Sequence, residues 1–253
     1  MNRIVAVCNH KGGVGKTTSA VNLAAAFAET GKRVLLVDLD PQGHATTHLG
    51  VQSDGLELLT ALQGAAGLPV PSTPTKGLDL VPAGPSLAVA RQRFSEVMGA
   101  ELLARSFART QGAWDIVFID CPPSLDVLTF NALRLSQHVV IPVEVNRFAL
   151  TSLRQMQETL EAAREQNRAL AVCALVPCRA HPRHLLYREI IAELERLFPG
   201  KIAPVVRENV ALAEAAGMGL PVLAYEPESA GASDYRAVAA FLSERLFGEE
   251  GTP

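Results

Sequence analysis

The chain has 253 residues, 48% of them hydrophobic, and a formal net charge of −3. That length can bury a substantial core, and the charge excludes attraction of nucleic acid by bulk positive charge, so any such site must be a local basic patch. No apolar run reaches the roughly 18 residues of a membrane-spanning helix, and the strand-like "IVAVC" follows Met1 closely, without a signal peptide's apolar segment and cleavage site.

Short β-branched runs alternate with longer amphipathic patterns along the chain. "RIVAV" is followed by the helical "TSAVNLAAAFAET", and Gly31 in "ETGKRV" suits the left-handed turn that closes a helix. "RVLLVD" leads into a polar loop, "LDLVPA" into a helix over 86–109, and "WDIVFID" into a helix over 125–135. "HVVIPV" precedes a helix at 150–167, "ALAVCALV" one at 182–198, and "KIAPVV" reads as a further strand. The alternation predicts one α/β domain over 1–248, a mostly parallel twisted sheet with helices on both faces, and a frayed tail at 249–253. Four cysteines, Cys8, Cys121, Cys173 and Cys178, fall in or beside the apolar strands, the pattern of reduced core residues in a cytosolic protein.

The stretch "NHKGGVGKTT" between the first strand and first helix nearly matches the phosphate-binding motif G-x-x-x-x-G-K-[ST]. His10 stands where the first glycine belongs, and Lys11 adds a second lysine. Backbone N–H groups from Gly12, Gly13, Val14 and Gly15 through Lys16, Thr17 and Thr18 can form a concave nest, and the following helix adds its positive end. Lys16 supplies a charge for the β and γ phosphates, and the Thr17 hydroxyl suits Mg²⁺. Two further apolar strands end in carboxylates, Asp38 and Asp40 on one and Asp120 on the other, where ligands of open parallel sheets bind. Asp120 fits the Walker B role of holding Mg²⁺.

"KGGVGKTT", "VLLVDLDPQGHAT", "DIVFIDCPPSLDVLTFNAL", "RENVALAEA" and "GASDYRAVAAFL" together resemble the ParA/Soj branch of the ParA/MinD ATPases, P-loop NTPases with a deviant Walker A motif. The resemblance spans nearly the whole chain and matches the short chromosomal type. It implies ATP and Mg²⁺ as cofactors and a slow ATPase stimulated by a ParB-like partner. It also implies a homodimer that forms on ATP, in which Lys11 reaches across to the partner's phosphates. By the same resemblance Asp40 positions the attacking water, Asp38 lies near the Mg²⁺ shell and "CPPS" is the second switch. Asn209 and the Cys178–Arg179 neighbourhood are the expected adenine contacts. The implied setting is a cytoplasmic protein that joins the nucleoid in its ATP state, and the cargo is a chromosome, a plasmid or a protein assembly.

Non-specific DNA binding is the implied function for which this sequence departs most from the family. Basic residues usual near Ala211 and Leu220 are missing, and Arg179, Arg183, Arg188 and Arg207 are the candidates to replace them. The competing reading of these arginines is a solvated face. A MinD-like membrane switch is a rival function, but the final "AAFLSERLFGEEG" has Arg245 against Glu244, Glu249 and Glu250, a poor match to a lipid-binding face. A metabolic P-loop ligase or synthetase and an iron–sulfur relative of nitrogenase reductase are further rivals. The pairs His44/His48 and His181/His184 have metal-ligand spacing without a third ligand pattern, and read as polar surface residues.

Overall fold

Among the described residues the apolar runs form six parallel strands in the order β3-β2-β4-β1-β5-β6. They are β1 (Arg3–Val7), β2 (Val34–Asp38), β3 (Leu78–Val81), β4 (Ile116–Asp120), β5 (His138–Glu144) and β6 (Ala171–Cys178). The computed structural model describes residues 2–64, 66–71, 73–94, 101–180 and 185–248. β2 and β4 are buried at every position, because a parallel sheet covered on both faces has no wet side.

Alternate residues of each strand feed two separate cores. Ile4, Ala6, Leu35, Val37, Val117 and Ile119 face one side. There they meet α3 (Leu56–Leu62), α4 (Ala88–Arg93), α5 (Leu102–Ala108), α6 (Val127–Leu135), α7 (Ala149–Arg164) and α8 (Leu185–Leu197). Val5, Val7, Val34, Leu36, Ile116 and Phe118 face the other. That side is covered by α1 (Lys16–Glu29), α2 (His44–His48), α9 (Val210–Gly217), α10 (Val222–Tyr225) and α11 (Ala230–Phe247). The alternation of strand side chains by two thus divides the molecule into two helical layers around one sheet.

Three local expectations need correction. The helix expected over 86–109 is instead a 3₁₀ turn at Pro85–Leu87, α4 and α5, with 95–100 outside the described residues. Each piece is tied to α6 separately, Arg91 by an ion pair to the α6 cap Asp126 and the Leu103 N–H by donating to Asn131 Oδ1. "KIAPVV" is not a sheet strand: Ile202 and Val206 make isolated bridges to Leu175 and Cys178 along the β6 edge, and Pro204 between them has no N–H to continue the ladder. The loop after β2 holds α2 and α3, and within it His44 is exposed while His48 is buried. Burial pulls the His48 pKa down to about 4, against the opposing Leu220 carbonyl. His181 and His184 lie outside the described residues, as does the tail 249–253.

Candidate nucleotide site

The loop from Asn9 to Gly15 connects β1 to α1 at the carboxyl edge of the sheet. Gly13 and Gly15 have φ of 75° and 95°, a region that side chains with a Cβ rarely adopt. Gly15 caps α1 without any side-chain hydrogen bond, so the first N–H groups of that helix, including those of Thr17 and Thr18, are left for an anion. Gly12 is exposed beside Gly13, whereas Val14 is buried and anchors the loop. The Lys16 ammonium donates to the Lys11 carbonyl at 2.9 Å, folding the side chain back over the loop. Burial lowers the Lys16 pKa, opposed chiefly by Asp120.

Asn9 supports this loop and was not singled out from the sequence. It is buried, donates through Nδ2 to Pro142 O at 2.7 Å and accepts from the Lys11 N–H at 3.1 Å. His10 points away from the nest to Thr159 on α7, with Nε2 and Oγ1 2.9 Å apart. That direction explains why a side chain is tolerated where the motif has glycine. Desolvation lowers the His10 pKa, and the nearby Lys16 charge adds to the effect.

Asp38 and Asp120 are register partners on β2 and β4, both with no exposed surface. Asp38 accepts from the Asp40 N–H at 3.0 Å, the Thr46 N–H at 2.9 Å and the Thr46 hydroxyl at 2.7 Å. Burial raises its pKa to about 6 despite those bonds. Neither carboxylate oxygen of Asp120 has a hydrogen-bond partner. Burial and the Asp38 charge push Asp120 well above the carboxylate range, with Thr17 and Lys16 pulling the other way. An orphaned buried carboxylate beside a threonine hydroxyl is a hard oxygen donor set that fits Mg²⁺. Among the described residues no three His, Cys, Asp or Glu side chains form a cage, so a metal here would need phosphate or water to complete its shell. Asp40 is buried and accepts from the Gln42 N–H at 3.0 Å.

Lys11 does not turn into this nest. Its ammonium pairs with Glu144 Oε2 at 2.6 Å, with both side chains about one-third exposed at 32% and 29%. Glu144 ends β5, the same strand-end signal that marks Asp38 and Asp120, yet sequence reasoning passed over it. On the other flank, a cavity of about 370 Å³ is lined by Gly15, Thr18, Cys178, Arg179, Asn209 and Tyr235 among others. Its position next to the loop suits the base and sugar of a nucleotide. Asn209 caps α9, accepting from the Ala211 N–H at 2.8 Å through Oδ1.

Comparison with known proteins fixes the family. Residues 2–172 match the AAA domain family. The sporulation initiation inhibitor protein Soj of Bacillus subtilis is 38% identical over 246 residues, covering 94% of this chain and 97% of that one. The chromosome-partitioning ATPase Soj of Thermus thermophilus is 40% identical over 247 residues, 96% of each chain. This chain belongs to the ParA/Soj family of partitioning ATPases. Among solved structures, the Mycobacterium smegmatis cobyrinic acid a,c-diamide synthase with bound ADP and magnesium superposes with a TM-score of 0.83 at 31% identity, covering 98% of this chain and 97% of that one.

The candidate DNA contacts fall in different settings. Ala211 is buried rather than facing solvent, and the exposed side of α9 carries Val210, Ala213 and Glu214, with Met218 exposed just past its end. Arg207 is not a free cation: its guanidinium makes a two-pronged pair with Asp234 at 2.7 and 2.9 Å, and its N–H donates to the same carboxylate. Arg179, with φ of 51°, and Arg188 on α8 are exposed, and Arg183 lies outside the described residues. No helix among the described residues is long and apolar enough to cross a membrane. The last helix of this ParA-type fold, α11, buries Leu242 and Leu246 and places Phe247 against Phe27 of α1.

Proposed function

We propose that the protein is an ATP-driven switch that dimerises around two ATP·Mg²⁺, binds DNA without sequence preference as a dimer, and is reset when a ParB-like partner stimulates hydrolysis. The observation that carries this reading is the unpartnered, buried Asp120 carboxylate beside Lys16 and the uncapped α1 terminus. Backbone N–H groups of the loop and Lys16 hold the phosphates, and Thr17 and Asp120, with Asp38 behind them, hold the metal that offsets phosphate charge. Asp40 orients the attacking water, and Asn209 and the Cys178–Arg179 neighbourhood border the base.

The outward set of Lys11 supports a role in trans. Lys16 alone serves its own nest, leaving the Lys11 cation at the rim, where a second subunit's phosphates can draw it from Glu144. Exposed Leu125, next to the second switch, and Phe148, just after β5, offer apolar surface on the same carboxyl edge of the sheet for such a subunit to cover. ADP lacks the γ-phosphate that rewards this exchange, so assembly reports the nucleotide state.

Light scattering with ATP and with ADP tests the proposal. A dimer with ATP alone, absent in Lys11→Ala, is the expected result; a dimer indifferent to nucleotide or to Lys11 refutes it. The likeness to the mycobacterial cobyrinic acid a,c-diamide synthase raises a ligase or synthetase of related fold as the alternative, which would show hydrolysis dependent on a small substrate.

A further inference from the structure

The thiols of Cys8 and Cys121 have no role assigned above, although Cys121 opens the second switch, and they meet between the phosphate loop and that switch. Val7 is the register partner of Asp120 on adjacent parallel strands, so the next residue on each, Cys8 and Cys121, also face one another. The Cys121 N–H donates to Val7 O at 3.2 Å, the two Sγ atoms are 2.8 Å apart, and both thiols are free and buried, 2% and 1% exposed. Neighbouring strands run about 4.8 Å apart, within the range of Cα separations that disulfides span. A bond between these sulfurs therefore needs little backbone movement. Cys173 donates to Val139 O and Cys178 to Val176 O.

Each member of the pair is one residue from a working group. Cys8 precedes Asn9, whose side chain fixes the phosphate loop to Pro142 and Lys11. Cys121 follows Asp120 and opens the segment "CPPS".

We propose that Cys8 and Cys121 form a dithiol that small hydroperoxides oxidise to a cross-strand disulfide, reversibly arresting the second switch. The arrest rests on the ATPase reading; the dithiol does not. The sulfur that first meets hydrogen peroxide attacks the O–O bond and becomes a sulfenic acid, releasing one water. The second sulfur attacks the sulfenyl sulfur and expels hydroxide, which leaves as water with the second thiol proton. Two electrons pass from the sulfurs to the peroxide oxygens, and an excess of a small dithiol reverses the bond by exchange. Burial excludes bulky oxidants and pushes the Cys121 thiol well above its usual range, which slows the first step, while contact between the sulfurs places the second thiol against the sulfenyl sulfur. Closure from 2.8 Å to about 2.05 Å bolts the root of the phosphate loop to the root of the switch. Nucleotide still finds the backbone nest, but the rearrangement that follows is blocked.

The test treats the intact protein with hydrogen peroxide, quenches, unfolds it, labels remaining thiols with a maleimide and maps peptides by mass spectrometry. The expected result is loss of two thiols and a cross-linked Cys8–Cys121 peptide. Turnover falls by about tenfold or more and recovers with dithiothreitol, while nucleotide binding is unchanged. Cys8→Ala should give no cross-link and peroxide-resistant turnover, Cys121→Ala should give no cross-link, and Cys173→Ala should behave as the parent. Sulfinic or sulfonic acid at either position without the cross-link overturns the dithiol. A cross-link that leaves turnover intact overturns the arrest. Should the untreated protein hydrolyse no ATP, that failure falls on the proposed function, and the peptide map still decides the pair.

Discussion

Asp38 and Asp120 stand opposite one another on β2 and β4 without exposed surface, and Asp38 alone has hydrogen bonds to hold its charge. Without a cation, both pay for ionising in a buried site. Burial raises Asp38 from 3.8 to about 6 and takes Asp120 well above its usual range. The folded state then binds more protons than the unfolded chain across that interval. This contribution to stability is full below pH of about 4, and falls as pH rises through about 6 for Asp38 and further for Asp120. Urea unfolding against pH should show that decline without ligand, and Asp120→Asn should remove the part above about pH 6, leave the Asp38 part and weaken Mg²⁺ binding. A flat profile for the parent protein removes the account of an unpaired carboxylate awaiting metal.

Three substitutions separate the steps of the cycle. Lys16→Ala should lose nucleotide affinity, since its ammonium is the cation folded over the nest. Lys11→Ala should bind ATP and stay monomeric, and Asp40→Ala should dimerise without turnover. Glu144→Gln adds a finer test. Releasing Lys11 from a partly exposed ion pair worth at most about 1 kcal/mol should lower the ATP concentration needed for dimerisation by up to about fivefold. A higher threshold would mean that Glu144 contributes to the dimer instead of competing with it.

His10→Gly restores the glycine of the standard motif, and should be harmful to folding rather than to binding. The imidazole bonds Thr159 on α7 and so ties the loop to the helical layer. Its loss should cost about 1 kcal/mol for the hydrogen bond and about 0.5–1 more for the added chain freedom of glycine. Thermal unfolding beside nucleotide titration measures both. A large fall in nucleotide affinity at unchanged stability would show that the ring shapes the nest itself.

The sheet, the phosphate loop and Asp120 were legible because each has a local signature: β-branched runs, glycines before GKT, and a carboxylate ending an apolar strand. Glu144 has that last signature too and shows its partner only in three dimensions, 133 residues from Lys11. Arg207 read as a free cation because Asp234 lies 27 residues away in sequence, beyond any periodicity. His48 looked polar and exposed beside His44, since the five-residue α2 is too short for its buried side to declare itself by pattern. The break of the 86–109 helix depends on ties from Arg91 and Leu103 to α6, which no local propensity encodes.

The paired state of Arg207 also changes what should happen when the candidate DNA contacts are reversed. Arg179→Glu and Arg188→Glu alter exposed side chains, so they should weaken binding of all DNA sequences alike and leave the ATP dimer intact. Arg207→Glu would set a second carboxylate against Asp234, which is 11% exposed, and should lower stability before any DNA effect can be read. On the proposed function, assembly should govern the affinity of the remaining patch. A monomer neutralising about three phosphates has a log–log salt slope of about −2.7, whereas a dimer laying both patches on one duplex reaches about −5.4. On the proposed function, Lys11 should then control DNA affinity from a distance, through dimerisation alone. DNA retention against salt, measured beside light scattering, should give the steeper slope with ATP, and Arg183→Glu extends the series to the neighbouring segment. Unchanged retention in Arg179→Glu, Arg183→Glu and Arg188→Glu would show these arginines to be a solvated face, and absence of DNA binding by the wild-type ATP dimer would direct the switch to a protein or membrane surface instead.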